Sequence, residues 1–220
     1  MNLFDIVGPV MVGPSSSHTA GACRIGYVAR KLLAEPVSEA EILLYGSFLA
    51  TGKGHGTTYA IVAGLLGMTP DDSRIPESFE LAREAGMQLS FGEADLKDGH
   101  PNSVVLRLKG VSGLEIEMVG ESLGGGRMNV VSIDGVDADF SGDYNTLIVY
   151  NDDKPGLVAR VSGILAEKSI NIATLKLHRS QRGGQAVMVI ECDRAISEEE
   201  IAWIRNQEGI NKVTNYCPEV

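Results

Sequence analysis

The stretch TLIVYNDDKPGLVARVSGILAEK, Thr146–Lys168, changes its hydrophobic period half-way along. Thr146–Tyr150 is a short apolar run of the kind a buried strand needs. Leu157, Val158, Val161, Ile164 and Leu165 then recur at the spacing of one helix face. Pro155 suits a first helical turn, where its missing N–H is not needed, and Asp152 or Asp153 stands where a cap is wanted. A strand followed by a helix over Pro155–Lys168 is predicted. Toward the C-terminus, Ile170–Arg179 reads as a strand, Gly183-Gly184 as a turn and Gln185–Cys192 as a second long strand. Ser197 with Glu200 three residues on is a capping box that opens a helix ending near Gly209. Ile210–Tyr216 is a last strand. The order βαββαβ is the split-βαβ, ferredoxin-like arrangement.

Working back, a break falls at Ser141–Asn145, after a glycine-rich stretch, Gly120–Gly135, and an acidic run, Asp134–Asp143. This sets two domains, residues 1–143 and 144–220. The first carries helical patterns at Thr19–Ala34, Gly54–Leu66 and Glu77–Ala85, and strands at Glu41–Tyr45 and Arg127–Asp134. Ser103–Lys109 and Leu114–Val119 alternate apolar and polar residues around the turn Gly110–Gly113, as a half-buried hairpin does. The fold class is α+β: a mixed α+β domain followed by the ferredoxin-like one.

Composition narrows the function. A formal net charge of −10 disfavours nucleic acid and anionic membrane as partners, since both need a basic surface. No run approaches the roughly 18 apolar residues of a membrane span. Met1–Met11 contains Asp5 and no basic start, so a signal peptide is not expected and a cytoplasmic location is. Cys23, Cys192 and Cys217 are far apart and odd in number, which fits neither a disulfide framework nor a zinc or cluster spacing. A metal cluster, if the chemistry needs one, must draw most of its ligands from another chain.

Two short polar segments carry the candidate chemistry. GPSSSHT, Gly13–Thr19, and TGKGHGT, Thr51–Thr57, each hold a histidine and each precede an apolar helical run. A helix N-terminus offers unpaired N–H groups and a partial positive charge, which suits a carboxylate or phosphate. One capping serine explains one of Ser15, Ser16 and Ser17, but not three followed by His18 and Thr19. An imidazole can carry a proton at working pH, which makes His18 a proton carrier and His55 a second one. Lys53 can balance a carboxylate, and the loop lacks the spacing of a phosphate-binding P-loop. Gly124-Gly125-Gly126 either admits a ligand close to backbone or marks a bulge. In the tail, Asn151, the turn Asp152–Gly156 and Asn171-Ile172 form either an amino-acid site beside a helix end or a structural turn.

These residues carry a resemblance. GPSSSHT together with GSFLATGKGHGT, Gly46–Thr57, resembles the β subunit of bacterial iron–sulfur-dependent L-serine dehydratase. Thr146–Val220 resembles an ACT domain, with Asn151 and the turn DDKPGL, Asp152–Leu157, matching its ligand-binding turn. The resemblance implies an N-terminal domain similar to the allosteric substrate-binding domain of some phosphoglycerate dehydrogenases. It implies a lyase that converts L-serine to pyruvate and ammonia without pyridoxal phosphate. A separate alpha subunit is implied, whose cysteines hold a four-iron four-sulfur cluster acting as a Lewis acid on the serine hydroxyl. It makes His18 and His55 the catalytic candidates. Ser15, Ser16, Ser17 and Thr19 become carboxylate contacts, with Lys53 and Thr57 as secondary ones, and no metal ligand is expected in this chain. In the tail it points to Asn151, Pro155, Gly156, Leu157, Asn171 and Ile172 as contacts for a regulatory ligand, or else to a tail that pairs two copies as a homodimer. An alternative keeps the same carboxylate contacts in a non-catalytic serine sensor.

Overall fold

The structure is a computed structural model that describes residues 10–218, apart from the Lys53 side chain. The chain packs as two units that divide between Gly135 and Val136.

In the first unit, β1 (Val37–Leu44) runs parallel to β2 (Gln88–Glu93) and antiparallel to β3 (Ser103–Gly110). β4 (Glu115–Gly124) and β5 (Arg127–Ile133) continue the sheet, in the order β2-β1-β3-β4-β5. The chain between β1 and β2 supplies α2 (Gly46–His55), α3 (Thr57–Leu65) and α4 (Ser78–Glu84), the crossover that a parallel pair requires. α1 (Ala22–Leu33) buries Ile25, Val28, Ala29 and Leu32. α3 is buried almost all round. α1 and α3 cross at a pair of glycines: a methyl group on Gly64 would collide with the Cys23 carbonyl oxygen, and one on Gly26 with the Ile61 carbonyl oxygen. Strand residues on one face are charged and paired: Arg107 bridges Glu41 (2.9 Å) and Glu117 (2.7 Å), and Lys109 meets Glu39 at 3.3 Å.

Three local expectations change. The helix expected from Thr19 starts earlier, as a π-helical turn over Ser16–Gly21 that runs into α1. The helix expected from Gly54 is two helices, α2 and α3, parted by Gly56 at φ +71°. Gly52 and Gly54 make α2 unattractive to local propensity, at about 1 kcal/mol each. Its helical form is held instead by tertiary anchors. The Phe48 side chain is fully buried, and the Ser47 N–H donates to the Pro101 carbonyl at 2.6 Å. Finally, β2 and β6 (Val136–Phe140) are strands where the sequence shows none. β6 lies within the acidic run, yet it alternates in the manner of a strand, with Ala138 and Phe140 buried and Asp137 and Asp139 exposed.

The second unit has the ferredoxin-like plan. β7 (Asn145–Asp152), α5 (Leu157–Glu167), β8 (Ile172–Arg179), β9 (Gln185–Cys192), α6 (Glu198–Arg205) and β10 (Ile210–Tyr216) form an antiparallel sheet in the order β10-β7-β9-β8. Leu147, Val149, Val161, Leu165, Met188, Ile190 and Ile201 meet in its core. Neither Asp152 nor Asp153 caps α5; Gly156 takes the cap position at φ +91° without a side-chain bond. Asp152 is drawn to Lys154 (2.8 Å) and Asp153 to the Gly183 N–H (2.8 Å) and Arg179 (3.2 Å).

The capping box at Ser197 is formed in both directions. Arg194 bonds Glu200 at 2.8 Å, and with the Ser197 N–H it holds that carboxyl down at about 2, from an ordinary 4.5. A depressed carboxylate contributes stability that is complete above about pH 4.5 and lost as pH falls toward 2. Glu200→Gln should therefore lower stability at neutral pH by about 1 kcal/mol or more and flatten the acid limb. The chain's single tryptophan, Trp203, lies in α6 and reports this by fluorescence. Superimposable acid-unfolding curves for the two proteins would contradict the assignment.

Candidate active site

The helical run Ser16–Leu33 opens with Ser15 as its cap, whose hydroxyl accepts the His18 N–H at 3.1 Å. The turn that follows carries His18 inward, so the imidazole is buried while Ser15, Ser16 and Ser17 stay half-exposed at the helix mouth. Such extra-wide turns occur frequently at functional sites. The Ser122 hydroxyl on β4 donates to the Ser17 carbonyl at 3.0 Å and fixes the turn to the sheet. Gly124-Gly125-Gly126 resolves as the β4–β5 hairpin, with φ of +87°, +62° and +77°. A register shift lies between Ser122 and Gly124, and Gly124 faces the Ser17 hydroxyl. Arg24 Nη1 donates to the Gly126 carbonyl at 3.0 Å and ties the hairpin to α1.

The second segment reaches the same place. His18 Nδ1 lies 2.9 Å from Thr57 Oγ1, and His18 Nε2 lies 3.3 Å from Ser47 Oγ. The His55 ring, exposed at the end of α2, is centred 5.1 Å from the His18 ring. Phe48 packs its ring against His18 at the same centroid distance, close to edge-on. Burial lowers the His18 pKa, and the neighbouring His55 lowers it further. The imidazole is thus held neutral at ordinary pH.

The two histidine segments therefore converge on one site, with these differences from the expectation. Thr57 is fully buried and bonded to the imidazole, so it orients His18 and does not face the mouth. Thr19 is also buried, and its Oγ1 has no hydrogen-bond partner among the described residues. His55 is the last residue of α2 and also stands directly before Gly56, the N-cap of α3. The Lys53 side chain lies outside the described residues. Ser47 and Phe48 carry no local signal as site residues. Only the packing of α2 across His18 reveals them.

In the tail, the register separates the expected ligand contacts. Asn151, at one end of β7, pairs with Ala186, which faces Arg179 on β8. Ile172, at the start of β8, pairs with Cys192, which faces Asn145 at the other end of β7. Asn151, Pro155, Gly156 and Leu157 thus gather at the helix N-terminus, while Asn171 and Ile172 stand about six residues away along the strands, roughly 20 Å. Asn151 is buried and its Oδ1 has no hydrogen-bond partner among the described residues, whereas Asn171 is bound to Asp193 at 2.7 Å.

Cysteine chemistry does not fit a cluster held by this chain. Burial pushes the Cys23 thiol up to about 12 and the Cys192 thiol up to about 11. Cys23 and Cys192 belong to different units. Among the described residues no three histidine, cysteine, aspartate or glutamate side chains gather as metal ligands.

A family model for the serine dehydratase beta chain matches residues 2–87, and an ACT domain model matches residues 145–205. The chain is 41% identical to the L-serine dehydratase beta chain of Peptoniphilus asaccharolyticus, covering 89% of this chain and 88% of that one. The chain belongs to the serine dehydratase beta chain family. A probable L-serine dehydratase beta chain of Bacillus subtilis is 38% identical, covering 97% of this chain and 96% of that protein. The D-3-phosphoglycerate dehydrogenase of Bacillus subtilis is 26% identical over 87% of this chain and 36% of its own length. Both histidine segments lie within the residues matched by the beta-chain model. No described helix is long and apolar enough to cross a membrane.

Proposed function

We propose that this chain is the beta subunit of a cytoplasmic L-serine ammonia-lyase, which forms pyruvate and ammonia from L-serine together with an alpha subunit that holds a four-iron four-sulfur cluster. The observation that carries this reading is the pairing of His18 and His55, rings 5.1 Å apart, beside a serine-lined helix N-terminus. The half-exposed serines and the free N–H groups of the helix mouth receive the substrate carboxylate. Thr19, with an unused buried hydroxyl, lies just inside that mouth. Removing an α-proton builds negative charge toward the carboxylate, and donors already in place stabilise it. A pure sensor needs no pair of imidazoles, so the pair favours the catalytic reading.

In this reading residues 1–143 form the substrate domain and 144–220 a regulatory domain. A ligand touching both Asn151 and Asn171 needs a second copy of the chain, because one copy holds them at opposite ends of its sheet. That separation supports a homodimer through the tail, with β8 as one of the two edge strands of its sheet.

The test is co-expression with the cysteine-rich alpha chain, anaerobic reconstitution with iron and sulfide, and an assay of pyruvate from L-serine. Turnover in the mixture and in neither chain alone is expected. A cluster-loaded complex that leaves serine unchanged would sink the proposal.

A further inference from the structure

Among the described residues, Thr57, His18, Ser47 and Thr51 form a single line of hydrogen-bonding groups, and its direction can be worked out from its two ends. At the inner end, Thr57 is fully buried and its hydroxyl hydrogen has one acceptor within reach, His18 Nδ1 at 2.9 Å. A buried hydroxyl left without an acceptor forfeits the hydrogen bond it would make in water, so the Thr57 hydrogen takes the acceptor offered. If Nδ1 carried the proton instead, Nδ1–H would point at Thr57 Oγ1 and strand the Thr57 hydrogen. At the outer end, the Thr51 hydroxyl donates to the Ser47 carbonyl at 2.9 Å, which leaves Thr51 Oγ1 as an acceptor. The Ser47 hydroxyl lies 3.5 Å from that oxygen and 3.3 Å from His18 Nε2. With Ser47 donating outward to Thr51, its oxygen is free to accept from Nε2. The inner end sets the direction and the outer end accommodates it: Thr57 to His18, His18 to Ser47, Ser47 to Thr51.

We infer that Thr57 is a positioning residue that fixes His18 as its Nε2–H tautomer, so that His18 meets the substrate as a hydrogen-bond donor and not as the acceptor of the α-proton. The nitrogen that carries the proton is set by the bond the other nitrogen makes. Phe48 and the buried Thr57 hold the ring from two sides, so Nε2–H stays directed at Ser47 Oγ, the half-exposed acceptor whose place a substrate oxygen would take. The substrate group that such a donor fits is an oxygen that gains negative charge, as the carboxylate does when the α-proton leaves. This role rests on the proposed dehydratase reading. The tautomer itself does not.

The test has two arms. Imidazole 15N–1H correlation spectra of the chain alone, with His18 assigned among four histidines by His18→Gln, read the tautomer directly. The Nε2–H form is expected in the native chain and in Thr57→Ser, with Thr57→Val shifting to a mixture. In the reconstituted enzyme, Thr57→Val should lower kcat about tenfold or more with KM nearly unchanged, and Thr57→Ser should recover most of the loss. An Nδ1–H form in the native chain overturns the inference, even if Thr57→Val fails to fold. So does a Thr57→Val chain that keeps the native tautomer. The expected tautomers in a complex that does not turn over serine would leave the positioning role standing and remove the dehydratase reading instead.

Discussion

His18→Ala is expected to reduce serine turnover by the reconstituted two-chain enzyme about 10²–10³-fold, the range for loss of one positioned donor to an oxygen that gains negative charge. The imidazole is bonded to Thr57 on α3 and Ser47 on α2 and flanked by His55 and Phe48. Assembly with the alpha chain should survive, because the ring is buried and offers little surface to a partner. His18→Gln places an amide near the Nε2 position and keeps a donor there, so it should retain more activity than His18→Ala. The measurement is steady-state pyruvate formation beside a co-purification assay for the complex. Turnover of the alanine variant within a few-fold of the native enzyme would strip the histidine of any part in the reaction and leave the serine-sensor reading in place.

The largest effect on stability is expected from Gly64→Ala. Local propensity alone says the change should help, since alanine is favoured over glycine inside a helix by about 1 kcal/mol. Packing says the reverse. The added methyl would run into the Cys23 carbonyl oxygen and come within 2.6 Å of the Tyr27 amide nitrogen, both backbone atoms of α1 that cannot swing aside. Overpacking of this kind costs about 3 kcal/mol or more when backbone must shift, so destabilisation wins. Gly54→Ala is the control: it lies in the same unit, and a methyl there meets nothing within 4 Å. Thermal unfolding followed by far-UV circular dichroism should show Gly64→Ala well below the native protein and Gly54→Ala level with it or above. A Gly64→Ala protein as stable as the native one would mean that α1 and α3 can separate freely, contrary to the crossing described.

What could be read from the sequence follows the range of the forces involved. The tail was legible strand by strand because its hydrophobic periods, its capping box and its Gly183-Gly184 turn act within a few residues. Both histidine segments could be picked out for the same reason, since an unusual local density of serine, glycine and histidine stands out without any partner. The helical state of Gly46–His55 was not legible, because it depends on Phe48 and Pro101 meeting across the fold. The resemblance implies a substrate contact at Thr57, while its hydrogen-bond partner is the His18 ring, 39 residues away in sequence. Asn171 was grouped with Asn151 because both lie beside turns, and only the strand register separates them.

The wide turn over Ser16–Gly21 gives the serine triplet a second meaning. A π-type turn holds one more residue than the α-helical turn it replaces. Removing any one serine would take out that extra residue, so the segment would close as ordinary helix and the wide turn that carries His18 inward to Thr57 would be lost. The three serines therefore act as a spacer as well as a set of hydroxyls, and shortening the run by one should do more harm than exchanging any one of them for alanine.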